Sequence, residues 1–455
     1  MMIGAIIAGL TTSCGERGPD GEKFSPLTIE ENKAAIEDAG IEFVATMDEM
    51  KSMQTIDVII NLGETLDQAV PELKALEQGS KINETLKTVT QLTNDEKGLY
   101  DLFHVMAAPG ELSEDPESIQ ELWDDVVGTY SWNESIGDWD VVEGGDAVIV
   151  EFPSSETSTT NDATLTIYDY DGIVVANPLD DEYTGDLPVS LKMDLVVGAE
   201  TLISMVYGAS YNDEGIPSSI AVELTIETYK FEVDLTNDTE VISVNYKFTA
   251  NDEVIMDMGA TGEGLFTEEN VEDNTYTVTE TDTYVSDYVY NDATGEWDEV
   301  YDTYTDEWEE VEFEEVINYA EAHFQLFYIA VRGEVNIKEL ADQVRIIEEQ
   351  WDDELISEDS AMNQMAAEIN EQVNMRIVNV DENTILAQAE AYVEKEVHMD
   401  YTDTYINMRF RFPDESLIDA ETYFEEGFDN FIRELNYLIN DINTDYDLDI
   451  DNIEY

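Results

Sequence analysis

Apolar positions recur every three or four residues from Thr28 to about Val127, the spacing that puts them on one face of a helix. Thr28 followed by Glu31 forms the capping-box pattern that opens a first helix. Behind it Ile36, Ala39, Phe43, Met47 and Met50 make one stripe. Leu66, Ala69, Leu73 and Leu76 make a second, and Ile82, Leu86 and Val89 a third. Asp115-Pro116, an N-cap followed by proline at the first helical position, precedes Ile119, Leu122, Trp123 and Val126. The pattern predicts an N-terminal helical bundle over residues 28–127.

At Gly128 the period changes to two. Val148–Phe152, Ala163–Tyr168, Val189–Val197, Leu202–Tyr207, Ser219–Ile226, Tyr229–Leu235 and Val241–Phe248 all read as strands. Apolar residues fall on even numbers from Ile220 to Ile226 and on odd numbers from Tyr229 to Leu235. That phase slip requires a tight turn or bulge at Glu227-Thr228. Short connections at 198–200, 236–238 and 251–253 imply an antiparallel meander. One face of such a sheet is apolar, so another layer must cover it.

Residues 268–315 hold 19 acidic residues and no basic one, yet Tyr and Trp recur at strand spacing. Tyr130–Val142 and Tyr288–Val300 are an internal repeat sharing Tyr, Asn, Gly, Trp, Asp and the final Val. The Asn-x-x-x-Gly centre suits a hairpin loop, with Gly137 or Gly295 in the left-handed position. Tyr301–Val311, with Trp308, reads as a third, shorter copy, and the hairpins are expected to bracket the sheet.

Helical spacing returns with Phe313, Ile317, Ala320, Phe324 and Phe327, placing His323 beside an aromatic helix stripe. It continues in Leu340, Val344, Ile347, Trp351 and Leu355, and in Met362, Met365, Ile369 and Val373. Residues 376–412 turn extended, and a last helix spans about Ser416 to Ile442. The expected fold is α+β: an N-terminal helical bundle, a large antiparallel β-meander over 128–312, and a helical and mixed region over 313–455 whose helices pack on the sheet.

Composition narrows the function. The chain of 455 residues carries 107 Asp+Glu against 19 Lys+Arg, a formal net charge of −88. Phosphate backbones are bound through Lys and Arg, so nucleic-acid binding is excluded as an expectation. Apolar residues at 43% supply real cores. Acidity of this degree also suits a saline habitat, where counterions offset self-repulsion. No phosphate-cradling glycine loop, G-x-S-x-G or H-E-x-x-H motif is present, and His104, His323 and His398 are far apart. No enzyme is expected. His398, in Glu396-Val-His-Met-Asp400, has acidic neighbours but no nucleophile beside it.

Residues 2–13, MIGAIIAGLTTS, precede the sole cysteine, Cys14, which is followed by Gly15. An apolar run, small residues and a cysteine resemble a lipoprotein signal peptide, in which the cysteine takes the lipid and becomes the first mature residue. The run is too short to span a bilayer as a helix. It lacks a basic n-region, and Thr11 replaces the usual aliphatic residue. Residues 1–14 are therefore expected to be leader and lipidation site, and 15–27 a tether.

Residues 130–170, and again 187–235 with its run Ser219–Leu235, resemble uncharacterised envelope lipoproteins of Bacteroidota-type bacteria. The likeness lies in strand-and-turn style and covers about residues 128–265. It implies export and lipidation in the outer membrane, periplasmic or surface-exposed, and brings no activity or site residues.

Two surfaces offer candidate chemistry. Asp441, Asn443, Asp445, Asp447 and Asp449 place oxygens at alternate positions, as a calcium loop does, though Tyr446 stands where glycine is expected. Trp297, Trp308, Tyr288 and Tyr290 on the acidic hairpins could stack sugars or frame a cation site. Cross-strand aromatic pairs also stabilise sheets without any ligand. Three functions are expected in order: a lipid-anchored structural or interaction protein, a carrier of a lipid or other apolar ligand, and a calcium or carbohydrate binder.

Overall fold

The computed structural model describes residues 23–69, 119–174, 186–213, 215–291, 296–398, 402–425, 428–446 and 453. Its largest element is one 17-stranded, mostly antiparallel sheet. A hairpin of β2 (Gly128–Asn133) and β3 (Asp138–Glu143) begins it, and β2 pairs parallel with β4 (Ala147–Phe152). From there the ladder runs in chain order through β5 (Ala163–Val174), β6 (Asp186–Val197), β7 (Glu200–Tyr211), β8 (Pro217–Ile226), β9 (Tyr229–Asn237), β10 (Val241–Ala250) and β11 (Glu253–Gly264). All seven strands expected between residues 148 and 248 are present. The expected phase slip is a two-residue turn, with Glu227 at φ 54° and Ile226 paired to Tyr229. Asn251 and Asp252 both take positive φ, the turn that matches the twist of paired strands.

After β11 the chain leaves the sheet for a short helix, α4 (Glu268–Asp273), and a separate two-stranded ribbon, β12 (Thr275–Asn291) and β13 (Glu296–Val311). It returns through a single helical turn, α5 (Phe313–Val316), into β14 (Ile317–Leu326), which pairs with β11. The ribbon is thus an insertion between two neighbouring strands. Its ends are tied together: Glu312 N–H donates to the Asn274 carbonyl at 2.9 Å, and Asn270 Nδ2 to the Glu315 carbonyl at 3.3 Å. Gly264 sits at this crossing, where a Cβ would overlap the Val316 carbonyl oxygen.

The sheet continues through β15 (Ile329–Val335), β16 (Val373–Asn379), β17 (Thr384–Val397), β18 (Thr402–Arg411) and the short β19 (Leu417–Asp419). It therefore does not stop at residue 312. Between β15 and β16 lie α6 (Ile337–Asp352) and α7 (Glu358–Gln372), and after β19 come α8 (Ala420–Glu425) and α9 (Asp429–Tyr446).

Four expectations about the elements are corrected. Residues 317–326 form β14, not a helix, because their neighbours on both sides supply ladder partners. Tyr301–Val311 is the second half of β13 rather than a third hairpin. Lys23 and Phe24, expected within the tether, instead form β1 (Lys23–Phe24), which pairs parallel with β17, and Phe24 packs on Ala330, Val378 and Ile385. The last expected helix is also divided, into α8 and α9.

Alternation along the strands gives the sheet two distinct faces. On one lie Val148, Phe152, Ile167, Leu191, Met205 and Val222, packed against Val58 of α2 (Gln54–Ala69) and Trp123 of α3 (Ile119–Val126). The same face continues into Tyr229 and Phe248, under Phe43 and Met47 of α1 (Ile29–Met50). It reaches Met375, Ile377, Ala389 and Phe410, under Ala39 of α1 and Tyr423 of α8. Ile406 meets Ile347, Ala361 and Met365 of α6 and α7. Of the C-terminal helices, α6, α7 and α8 thus pack on the sheet, while α9 packs on α1, and α1 carries its expected capping box. Residues 70–118, with the third predicted stripe, lie outside the described residues. These five helices and α8 share one face, and the opposite face is largely polar and charged, apart from a small apolar cluster of Phe24, Ala330, Val378 and Ile385.

A candidate binding cleft on the polar face

The register assembles a row of polar side chains across five strands, with a glycine at its end on a sixth. Gly259 on β11 stands opposite His323 on β14, His323 opposite Arg332 on β15, and Arg332 opposite Arg376 on β16. Gln388 on β17 and Arg411 on β18 complete it. Arg409, opposite Glu390, lies on the same face. Four of the chain's seven arginines therefore lie on one face within four neighbouring strands, one on β15, one on β16 and two on β18.

Carboxylates flank the row on both sides. Glu321 stands opposite Glu334 one step along the strands, and Asp257 lies one step the other way on β11. Asp257, Glu321, His323, Arg332, Glu334 and Arg376 line a cleft of about 310 Å³. Ala322, Gln325, Gly333 and Asn374 complete the lining, so His323 carries its only aromatic ring.

Hydrogen bonds fix these groups. The Arg376 side chain, 8% exposed, donates from Nη1 to Glu334 Oε1 at 3.3 Å. Asn374 Nδ2 donates to the same oxygen. The Tyr319 hydroxyl lies 3.2 Å from Glu334 and 3.1 Å from Glu321. Its burial, then the Glu334 and Glu321 charges, push the phenol well above the usual tyrosine range. His323 Nε2 lies 3.2 Å from Asp257 Oδ1, with Lys247 3.9 Å from the other Asp257 oxygen. The imidazole lies over Gly259, where a Cβ would come within 2.8 Å of Cε1. Glycine at 259 is what lets this ring lie down. Farther along the face, Arg409 donates to Glu390 at 2.6 Å and Arg411 to Gln388 at 2.8 Å.

The arrangement can bind a polar ligand through guanidinium donors and carboxylate acceptors held on rigid strands. Sequence reading placed His323 on a helix and so missed the row. The missed signal was the second periodicity in 319–325, where Tyr319, Glu321, His323 and Gln325 alternate with Ala320, Ala322 and Phe324.

The sequence-derived candidates lie elsewhere. Cys14 is outside the described residues. Asp441, Asn443 and Asp445 fall within α9, where positions two apart are turned by about 200° around the axis. Asp441 there meets Lys51 Nζ at 3.4 Å, while Asp447 and Asp449 lie outside the described residues. Among the described residues, no group of three or more His, Cys, Asp or Glu is placed to hold a metal ion. On the ribbon, Tyr290 stands opposite Trp297, repeating the Trp132–Trp139 pair of the first hairpin, whose rings meet edge to face at 5.4 Å. Tyr288 stands opposite Glu299 and Trp308 opposite Val278. Trp308 is eleven residues from Trp297, roughly 36 Å along a strand, so these two do not form one platform. His398 Nε2 lies 3.3 Å from Asp403, and Asp400 is outside the described residues.

No helix among the described residues is long and apolar enough to cross a membrane. No protein-family model matches the chain, and no curated protein and no solved structure is significantly similar to it.

Proposed function

We propose that the chain is a non-catalytic binding protein of the cell envelope, lipid-anchored through Cys14, that recognises a polar partner or ligand on the helix-free face of its sheet. The observation that carries the reading is the cleft over the His323–Arg332–Arg376 row. Guanidinium groups are scarce in this chain, and placing three of them in one row of a solvated face costs like-charge repulsion that packing alone does not require. The leader-like segment ending at Cys14 and the resemblance to envelope lipoproteins support the location, outer-membrane and either periplasmic or surface-exposed. The apolar-carrier reading gains less support, because helices occupy the apolar face and side chains such as Phe152, Ile167 and Leu191 are fully buried there. Calcium or carbohydrate binding on the ribbon and the C-terminal tail remains the third reading.

Native mass spectrometry of the full-length chain, produced in a bacterial envelope, tests the function. A small retained adduct that disappears in Arg332→Gln supports it. An adduct indifferent to Arg332→Gln, or a bare mass, moves the binding surface away from the cleft. Metabolic labelling with a fatty acid tests the anchor: label that persists in Cys14→Ala sinks it.

A further inference from the structure

We propose that the cleft takes a small zwitterion, with one carboxylate and one primary ammonium group, of the size of an amino acid. This rests on the binding reading above and names its ligand. Three features of the site lead to it.

The cleft has two kinds of pole. Arg332 and Arg376 stand directly opposite each other, a geometry that favours an anion lying across both guanidinium groups. Glu321 and Asp257 lie one step from His323 on either side of the row. Glu334 already accepts from Arg376 and Asn374, whereas Glu321 is exposed toward solvent. A ligand with a carboxylate alone leaves the acidic pole facing its own charge, and a cation alone does the same at the arginines. A molecule carrying both charges satisfies both poles.

The field of the whole chain selects in the same direction. At a formal net charge of −88, simple anions are repelled on approach, while a net-neutral zwitterion is not. Size and lining narrow the class further. A volume of about 310 Å³ is at the small end of ligand pockets. The lining includes no Trp, Tyr or Phe, so it has neither the stacking platform that a sugar ring uses nor the cage that holds quaternary ammonium groups. A primary ammonium, which needs oxygen acceptors, fits the carboxylates instead. Neighbouring strands are about 4.8 Å apart, so Arg332 and Glu321, one strand and one step apart, suit a short molecule. Arg376 and Asp257, on strands three apart, suit a longer one.

Calorimetric titration of the full-length chain in detergent with glycine, β-alanine and γ-aminobutyrate tests the proposal, with propionate and ethylamine as the two half-molecules. At least one amino acid is expected to bind ten times more tightly than either half-molecule. Arg332→Gln and Glu321→Gln, both at partly exposed positions, are each expected to weaken it tenfold or more while circular dichroism shows the fold unchanged. The proposal is overturned if propionate binds as tightly as the amino acids, if Glu321→Gln has no effect, or if none of the three binds. In those cases the native-mass adduct separates the two claims. An adduct still lost in Arg332→Gln keeps the cleft as the site and discards only the zwitterion. An adduct indifferent to that change discards the site as well.

Discussion

Glu334→Gln is the sharpest probe of how the cleft is held. The carboxylate accepts from Arg376 Nη1, Asn374 Nδ2 and the Tyr319 hydroxyl, one step along β15 from Arg332, which stands opposite Arg376. Glutamine keeps the shape but removes the charge, and it turns one acceptor into a donor facing groups that already donate. Removing one member of a fully buried ion pair costs about 3–5 kcal/mol. Glu334 retains 28% exposure while Arg376 retains 8%, so water compensates part of the loss. The expected cost is about 2 kcal/mol, within the range of a charge-assisted hydrogen bond.

Urea unfolding followed by far-ultraviolet circular dichroism measures it, as a shift in midpoint at constant slope. Arg376→Met in the Glu334→Gln background should recover about half of the loss, because it removes the stranded cation. Added salt should narrow the gap between Glu334→Gln and wild type by screening Arg332 from Arg376. Tyr319 should ionise closer to the ordinary tyrosine range once the neighbouring charge is gone. A Glu334→Gln protein within about 0.5 kcal/mol of wild type, the spread of inert surface changes, or a double variant that loses the sum of the singles, would refute this account of the row.

Other expectations follow from single contacts. A Cβ at Gly40 would lie 2.6 Å from the Phe431 ring, so Gly40→Ala should cost about 1–3 kcal/mol despite alanine's better helix propensity, and Phe431→Leu should relieve it in thermal melts. Asn32 is fully buried and donates to the Leu386 carbonyl at 3.1 Å, so Asn32→Ala should cost about 1–3 kcal/mol and speed hydrogen exchange in β17. Burial raises the Tyr423 hydroxyl, and burial with the Glu394 and Asp419 carboxylates raises Tyr392, as at Tyr319. The folded state retains these protons where the unfolded chain loses them. Their stabilisation is therefore complete below the ordinary tyrosine range of about pH 10 and falls as pH rises through it, so tyrosinate absorbance should rise in a late step that coincides with unfolding. Replacing residues 275–311 by a short linker should leave urea stability within about 1 kcal/mol of wild type, because Glu312 N–H and the Asn274 carbonyl already bond across the base of the ribbon.

Much of the sheet was legible because its signals are local. In β8 and β9 the apolar residues change parity across Glu227-Thr228, and only a turn there keeps Leu224 and Phe231 on one face. The Thr28–Glu31 capping box likewise announces α1 from four residues. Segment 313–327 was not legible for the same reason. Phe313, Ile317, Ala320 and Phe324 have helical spacing, while Ala320, Ala322, Phe324 and Leu326 have strand spacing, and both patterns fit ten residues. What decides between them is the pair of strands waiting on either side, β11 and β15, and the first is more than fifty residues back along the chain.

The cleft is harder to read than the strands for a related reason. Arg332 and Glu334 each look like an ordinary polar position on a half-buried strand, as do Glu321, His323 and Arg376. Their meaning comes from register. A slip of one residue in β15 would turn Arg332 and Glu334 to the helix-covered face and put Val331 and Gly333 in the row. The apolar face prevents that slip, since Ile329 and Val331 must meet the helical layer that includes Ala39. Burial on one side of the sheet thus fixes the charged constellation on the other. The small residues complete the arrangement, because Gly259 lets the His323 ring lie flat beside Asp257. The core's geometry is therefore what places an opposed pair of arginines beside carboxylates on both flanks, in a chain otherwise dominated by acid.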